Sequence, residues 1–315
     1  MTKRFHIRAR ALRWLSLVAI AAAALGALPA DPAGAHPSGA VGTQAAAAPS
    51  AVASGVTVRT KSSGVDSESL KTAFAQCPAG KVALGGGARI TPRYGGATHG
   101  QVILVHAQPL ANGYYAGASE WVGGYSYDWF LVAYAVCGDQ PAGYQIVQQV
   151  SDTENEGPFE EFNDTHASCP SGKKVIGTGG ALQGARGRVS FQQIRPNQQG
   201  AYVFVQGILH PGYGGTPFTV YAWAVCANPL EGWHVVIDGT DYSTATTQQT
   251  SVACPAGEQA LGAGFTKGDD FGAAHIESFS VRTFSTSSTV YLNGGAPFTP
   301  QPWNIAAWAV CVDRP

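Results

Sequence analysis

The chain has 315 residues, of which 45% are hydrophobic and only 12% charged, against about 25% charged in an average soluble domain. A formal net charge of −1 supplies no basic surface of the kind that nucleic-acid binding needs, because phosphate contacts carry most of that affinity. No run reaches the roughly 20 apolar residues of a membrane-spanning helix.

In chain order, residues 1–35 read as a secretory signal peptide. "MTKRFHIRARALRW" is a basic leader, "LSLVAIAAAALGAL" a short apolar core, and "AGA" at Ala33 to Ala35 a small-residue cleavage site. Five of the 19 Lys and Arg (Lys3, Arg4, Arg8, Arg10, Arg13) and one of the 20 acidic residues (Asp31) lie in it, which leaves an exported remainder with 14 cations against 19 carboxylates. Residues 36–54, "HPSGAVGTQAAAAPSAVAS", are small and aperiodic, a flexible leader.

From Gly55 the chain repeats itself three times: Gly55–Ala142, Gly143–Glu231 and Gly232–Pro315. Each copy opens on glycine and a β-branched run ("GVTVRT", "GYQIVQQV", "GWHVVIDG"), passes through "CPAGKVALGGG", "CPSGKKVIGTGG" or "CPAGEQALGAG", and closes on "WFLVAYAVC", "FTVYAWAVC" or "WNIAAWAVC". Short β-patterned runs separated by Gly, Asn and Pro turn signals fill the interval, with no helix pattern. In the closing strand, small residues and cysteine alternate with aromatic and branched ones, so each group takes one face.

Six cysteines in an exported chain predict disulfides. If each copy closes on itself, the pairs are Cys77–Cys137, Cys169–Cys226 and Cys254–Cys311; a scheme running between copies would have to break at one end of the array. The connections "GDQPAG" and "ANPLEG" are too short for free linkers. The expected fold is therefore all-β and disulfide-stapled, its three repeats in a pseudo-threefold, β-prism-like arrangement around one core. Three tandem small β-sandwich units are the alternative.

The C-P-x-G element is neither a phosphate loop nor a redox site. It lacks the Walker spacing and a second nearby cysteine, and its glycines precede strands. A turn with Gly at positive φ explains it, and Gly85, Gly86 and Gly87 with their counterparts predict a bulge or a close approach of sheets.

The acidic segment Ser151 to Asp164 and the pair Asp269 and Asp270 are solvated loops in this reading, with no EF-hand spacing. His99, His106, His166, His210, His234 and His275 do not recur between copies and show no metal-ligand spacing. No G-x-S-x-G elbow is present. The sequence thus predicts no enzyme, cofactor or metal.

The aromatics of copy one, "NGYYAGASEWVGGYSYDW", are the ligand-binding candidates: Tyr114, Tyr115, Trp121, Tyr125 and Tyr127, rings with polar handles in a glycine-rich stretch. Trp129 in the same stretch is read as strand packing. Tyr213, Phe218, Tyr291 and Trp303 occupy comparable regions of the other copies.

The third copy, "CPAGEQALGAGFTKGDDFGAAHIESF", resembles the repeat of the vitelline membrane outer layer protein I family through its C-P-x-G, G-F pair, Asp-Asp step and following Ile. The Asp-Asp step is confined to that copy, the period is longer, and the cysteine layout differs. All three copies also resemble the C-P-x-G…G-G-G…C repeats of secreted actinobacterial proteins. The first resemblance implies a β-prism that binds oligosaccharides. The expected function is a secreted, non-catalytic binding module for a glycan or cell-envelope polymer, made effective by repetition. A structural protein docking a secreted protein partner is the alternative, and a wall-polymer-degrading enzyme a third reading that would need convergent carboxylates.

Overall fold

A computed structural model describes residues 52–152, 161–184, 186–210, 212–213, 216–268, 274–283, 288–297 and 301–315. The signal segment, most of the acidic segment, and Asp269 and Asp270 lie outside the described residues. Within them the chain forms 18 strands in three six-stranded antiparallel sheets and no helix.

Sheet I runs β1 (Thr57–Ser62), β6 (Trp129–Gly138), β3 (Val82–Pro92), β16 (His275–Thr283), β17 (Ser288–Gly295), β14 (Thr247–Ala253). Sheet II runs β13 (His234–Gly239), β18 (Asn304–Asp313), β15 (Glu258–Gly268), β10 (Val189–Pro196), β11 (Tyr202–Leu209), β8 (Phe162–Ser168). Sheet III runs β2 (Leu70–Gln76), β5 (Gly113–Glu120), β4 (Val102–Leu110), β9 (Lys174–Gly184), β12 (Phe218–Ala227), β7 (Gln145–Val150).

Every sheet is built from two repeats. The first, sixth and third strands of one copy extend into the fourth, fifth and second of another, and the exchange closes around all three copies. Tandem sandwiches are thereby excluded, and the β-prism-like arrangement is what the strand order forms. The joining pairs are short and equivalent: Ser278 opposite Arg89, His106 opposite Ala181, Gln193 opposite Thr266.

The disulfides follow from this exchange. Cys77–Cys137, Cys169–Cys226 and Cys254–Cys311 each close one repeat. Because the strands flanking each pair belong to different sheets, every bridge staples two faces of the prism. The C-P-x-G segments are turns, with Lys81, Lys173 and Glu258 N–H donating to Pro78, Pro170 and Pro255 carbonyls at 3.1, 3.0 and 3.1 Å. Gly80, Gly172 and Gly257 stand at φ of 78°, 81° and 90°, a conformation that excludes most other residues.

At the centre, Gly85, Gly177 and Gly262 form a ring. A Cβ on each would stand 2.2, 2.2 and 2.6 Å from the carbonyl oxygen of Leu261, Leu84 and Ile176 respectively. The registers of β3, β9 and β15 skip those same apolar residues, all of them fully buried. The bulge pushes one large side chain into the core while glycine lets the backbones touch. In the closing strands Ala133, Ala135 and Cys137 are buried while Tyr134 faces outward, as the alternation predicts.

Consecutive repeats are also clasped by their opening aromatics. Tyr144 donates its hydroxyl to the Ala83 carbonyl at 2.9 Å, and Trp233 its Nε1–H to the Val175 carbonyl at 2.8 Å. The first copy has Val56 there, and closure is made instead by Gln259 Nε2–H donating to the Ala53 carbonyl at 2.7 Å. Ala53, assigned by sequence to the flexible leader, is buried, and the Asp139 N–H donates to the Ser54 carbonyl. The folded unit therefore begins earlier than the repeat boundary.

Candidate ligand groove and tyrosine cluster

The five candidate aromatics of copy one go to four different places. Tyr114 and Tyr115 are consecutive on β5, so they face opposite sides. Tyr114 points inward and is fully buried, its hydroxyl donating to the Thr178 carbonyl at 3.1 Å. Burial raises its phenol well above the usual range. It is a core residue, and its assignment as a ligand contact is corrected on that ground.

Tyr115 points outward on sheet III. It meets His106 edge-on at 4.9 Å, His106 stacks on Trp223 at 5.8 Å, and Trp223 stacks on Tyr221 at 5.7 Å. Trp223 itself is buried. A cavity of about 470 Å³ lies beside it, lined among others by Gln108, Gln148 and Gln183.

Trp121 enters the loop end of the prism and contacts His210 edge-on at 5.3 Å and His275 at 6.3 Å. Two histidines from different repeats, dispersed in sequence, meet here. His275 Nδ1–H donates to the Gly100 carbonyl, and its Nε2 lies 3.3 Å from His210 Nδ1.

Tyr125 and Tyr127 stay together, ring against ring at 5.7 Å. With Tyr94 they form an exposed cluster; Tyr94 is 82% and Tyr127 65% exposed. An Arg93–Asp128 ion pair at 2.6 Å spans its base, and the Arg93 guanidinium lies 5.3 Å from the Tyr94 ring. A hollow of about 230 Å³ opens between these side chains and Pro92.

Pro92 also lines a larger cavity of about 620 Å³ across the outer face of sheet I. Arg89, Arg282, Gln249, Ser251, Tyr291 and Asn293 project into it from four strands contributed by the first and third repeats. At its loop end sits Glu277, nearly fully buried, whose carboxylate accepts from Thr98 Oγ1–H at 2.5 Å, Gly100 N–H at 2.6 Å and Asn293 Nδ2–H at 3.3 Å. Between those first two donors, His99 holds φ of 50°, the one non-glycine residue at positive φ among the described residues.

Burial is the main cause that pushes the Glu277 carboxyl up, against the opposing effect of the Thr98 and Gly100 hydrogen bonds. The phenol of Tyr125 is raised by partial burial first and then by the Glu277 charge, so the tyrosine cluster and the groove are electrostatic neighbours.

Glu277 is the residue that the β16 register skips between Ile276 and Ser278. The equivalent skipped positions are Val105 and Gln192. A bulge turns a side chain out of the regular alternation, and only the third copy fills this one with an acid.

Sequence reasoning did not reach Tyr94, Arg93, Arg89, Arg282 or Glu277. The "RYGG" turn beside Tyr94 was the available signal for the first two, whereas the groove residues come from separate repeats. Among the aromatics of the other copies, Phe218 and Trp303 are buried like Trp129, so the three starts of the closing strands are core positions. Tyr291 lines the groove, and Tyr213 lies under the Arg188 guanidinium at 4.9 Å.

His234, Glu258 and Cys311 bring one ligand atom each within 4.8 Å of one another, but Cys311 Sγ is held in a disulfide and offers no thiolate. The pair left over is a His234–Glu258 contact at 3.4 Å. No helix among the described residues is long and apolar enough to cross a membrane. No protein-family model matches the chain, and no curated protein matches it.

Proposed function

We propose that this protein is an exported, non-catalytic binding module for a glycan or cell-envelope polymer, and that the groove of sheet I with its terminal tyrosine cluster is the binding surface. The observation that carries this reading is the exposure of Tyr94 and Tyr127 at the mouth of a polar groove lined by amides and hydroxyls. Exposed rings stack on the apolar faces of sugars, while Gln249, Asn293 and Ser251 suit hydroxyl groups. The basic-apolar-small leader and three disulfides support export.

A non-catalytic role is favoured by the groove's chemistry. Among its described lining residues Glu277 is the single carboxylate, whereas most glycosidases use two. Both Glu277 oxygens are also engaged by the fold.

Co-sedimentation with a panel of insoluble polysaccharides tests the proposal, with Tyr94→Ala and Tyr127→Ala as variants. Retention of the wild type and at least tenfold weaker retention of the double variant is the expected result. Equal retention of both would remove the tyrosine cluster from the binding surface, and stoichiometric capture of a secreted protein that sugars do not displace would assign the surface to protein docking instead.

A further inference from the structure

Positive charge in this fold is concentrated on one of three topologically equivalent faces. The strands of sheet I carry Arg59, Lys61, Arg89 and Arg282 against the single carboxylate Glu277. Those of sheet II carry Arg195 and Lys267 against Asp164, Asp238, Glu258 and Asp313. The whole chain is slightly acidic, so the cations of sheet I do not reflect composition.

Two of these cations line the groove and are not used by the fold. Three cations elsewhere are paired with carboxylates: Lys71 with Asp66, Lys81 with Asp139, Arg93 with Asp128. On sheet II, Arg195 is sandwiched between Phe204 at 5.5 Å and Trp308 at 5.3 Å and donates to Gln193 at 2.7 Å. Arg89 has no such partner, and Arg282 lies only against the Tyr291 ring at 4.4 Å. Neither has a carboxylate partner among the described residues.

Their spacing indicates what kind of ligand they fit. Arg89 stands opposite Ser278 on the neighbouring strand, and Arg282 lies four residues further along it. At about 3.3 Å per residue the two are roughly 13 Å apart along the strand direction. That separation suits anions repeated along a chain better than one small ion, and each guanidinium can take a carboxylate or phosphate oxygen pair in its planar fork.

We infer that the sheet I groove selects an anionic glycan, one bearing repeated carboxylate or phosphodiester groups, through Arg89 and Arg282. The inference rests on the binding function proposed above and names its ligand class. Tyr291 orients Arg282 by stacking, and Gln249, Ser251 and Asn293 face the hydroxyls between the charges. The Glu277 carboxylate does not cancel the pair, because it is withdrawn to the loop end and held by Thr98, Gly100 and Asn293.

Affinity electrophoresis through polygalacturonate, poly(glycerol phosphate) and neutral dextran tests it on the full exported chain. Retardation by either anionic polymer, lost as salt rises toward 0.5 M, is expected, and which of the two retards more identifies the anion. Arg282→Gln should weaken that binding about tenfold and the double variant with Arg89→Gln further. Lys61→Gln, on an edge strand outside the groove, should leave it within twofold, and melting temperatures verify that each variant is folded. Dextran retarding the protein as strongly as the anionic polymers, with the arginine variants unaffected and Tyr127→Ala weakening it, overturns the charge assignment and leaves the glycan function standing. An equal loss with Lys61→Gln overturns the groove as the origin of selectivity. Retardation by none of the three polymers overturns both.

Discussion

The carbonyl oxygen of Leu261 lies 2.2 Å from where a Cβ on Gly85 would stand. The two residues come from the third and first repeats, and the same approach recurs from Leu84 to Gly177 and from Ile176 to Gly262. The prism is closed by backbone touching backbone at its centre, where packed interiors tolerate little added volume.

Gly85→Ala should therefore destabilise the protein by on the order of 3 kcal/mol, through overpacking that no flexible side chain can relieve. Urea denaturation measures it. An alanine at Gly95, an exposed loop position with nothing within 4 Å of its would-be Cβ but a φ of 80°, should cost only the backbone strain, about 1 kcal/mol.

Removing a single staple has a different signature. Cys169→Ser with Cys226→Ser opens a loop with a sequence separation of 57, and the chain-entropy account puts the loss at about 4 kcal/mol. Because the bridge joins two sheets, the melting transition should move down while remaining a single one. Two separate transitions in calorimetry would show that the repeats do not share their stability.

Tyr114 and Tyr127 should separate packing from binding. Tyr114→Ala removes a fully buried ring and its bond to the Thr178 carbonyl, a loss of about 3–5 kcal/mol. Tyr127→Ala, at an exposed position, should stay within about 0.5 kcal/mol in stability and register only in polysaccharide retention.

The groove carboxylate predicts a pH dependence with a definite sign. Burial raises the Glu277 pKa above its ordinary 4.5, so the folded protein binds this proton more tightly than the unfolded chain. Its contribution is present below about pH 4.5 and is lost as pH rises through the raised value. Relative to Glu277→Gln, the wild type should lose stability from pH 4.5 upward. The exposed Asp66 and Asp139, whose pKa values are lowered by Lys71 and Lys81, change stability in the opposite direction but equally in both proteins. Denaturation midpoints of the two proteins that run parallel from pH 4 to 8 would contradict the assignment.

The sequence by itself determined what is written locally and repeated. Three copies of C-P-x-G fixed three turns, and the alternation around Ala133 and Ala135 fixed which face of each closing strand is inside, whereas the cysteine pairing stayed open between a scheme within copies and one between them until the structure closed each copy on itself. The glycine triplet at Gly85 also announced its bulge and close approach, since those demands on the backbone are local. Tertiary structure decided the rest, because strand exchange places neighbours that no sequence interval encodes. It put Tyr114 inside and Tyr115 outside through the strand period. It brought His210 to His275 and put Arg89 of the first repeat and Arg282 of the third into one groove. The groove is legible only after the prism closes, since each repeat supplies half of a sheet and a binding face requires both halves.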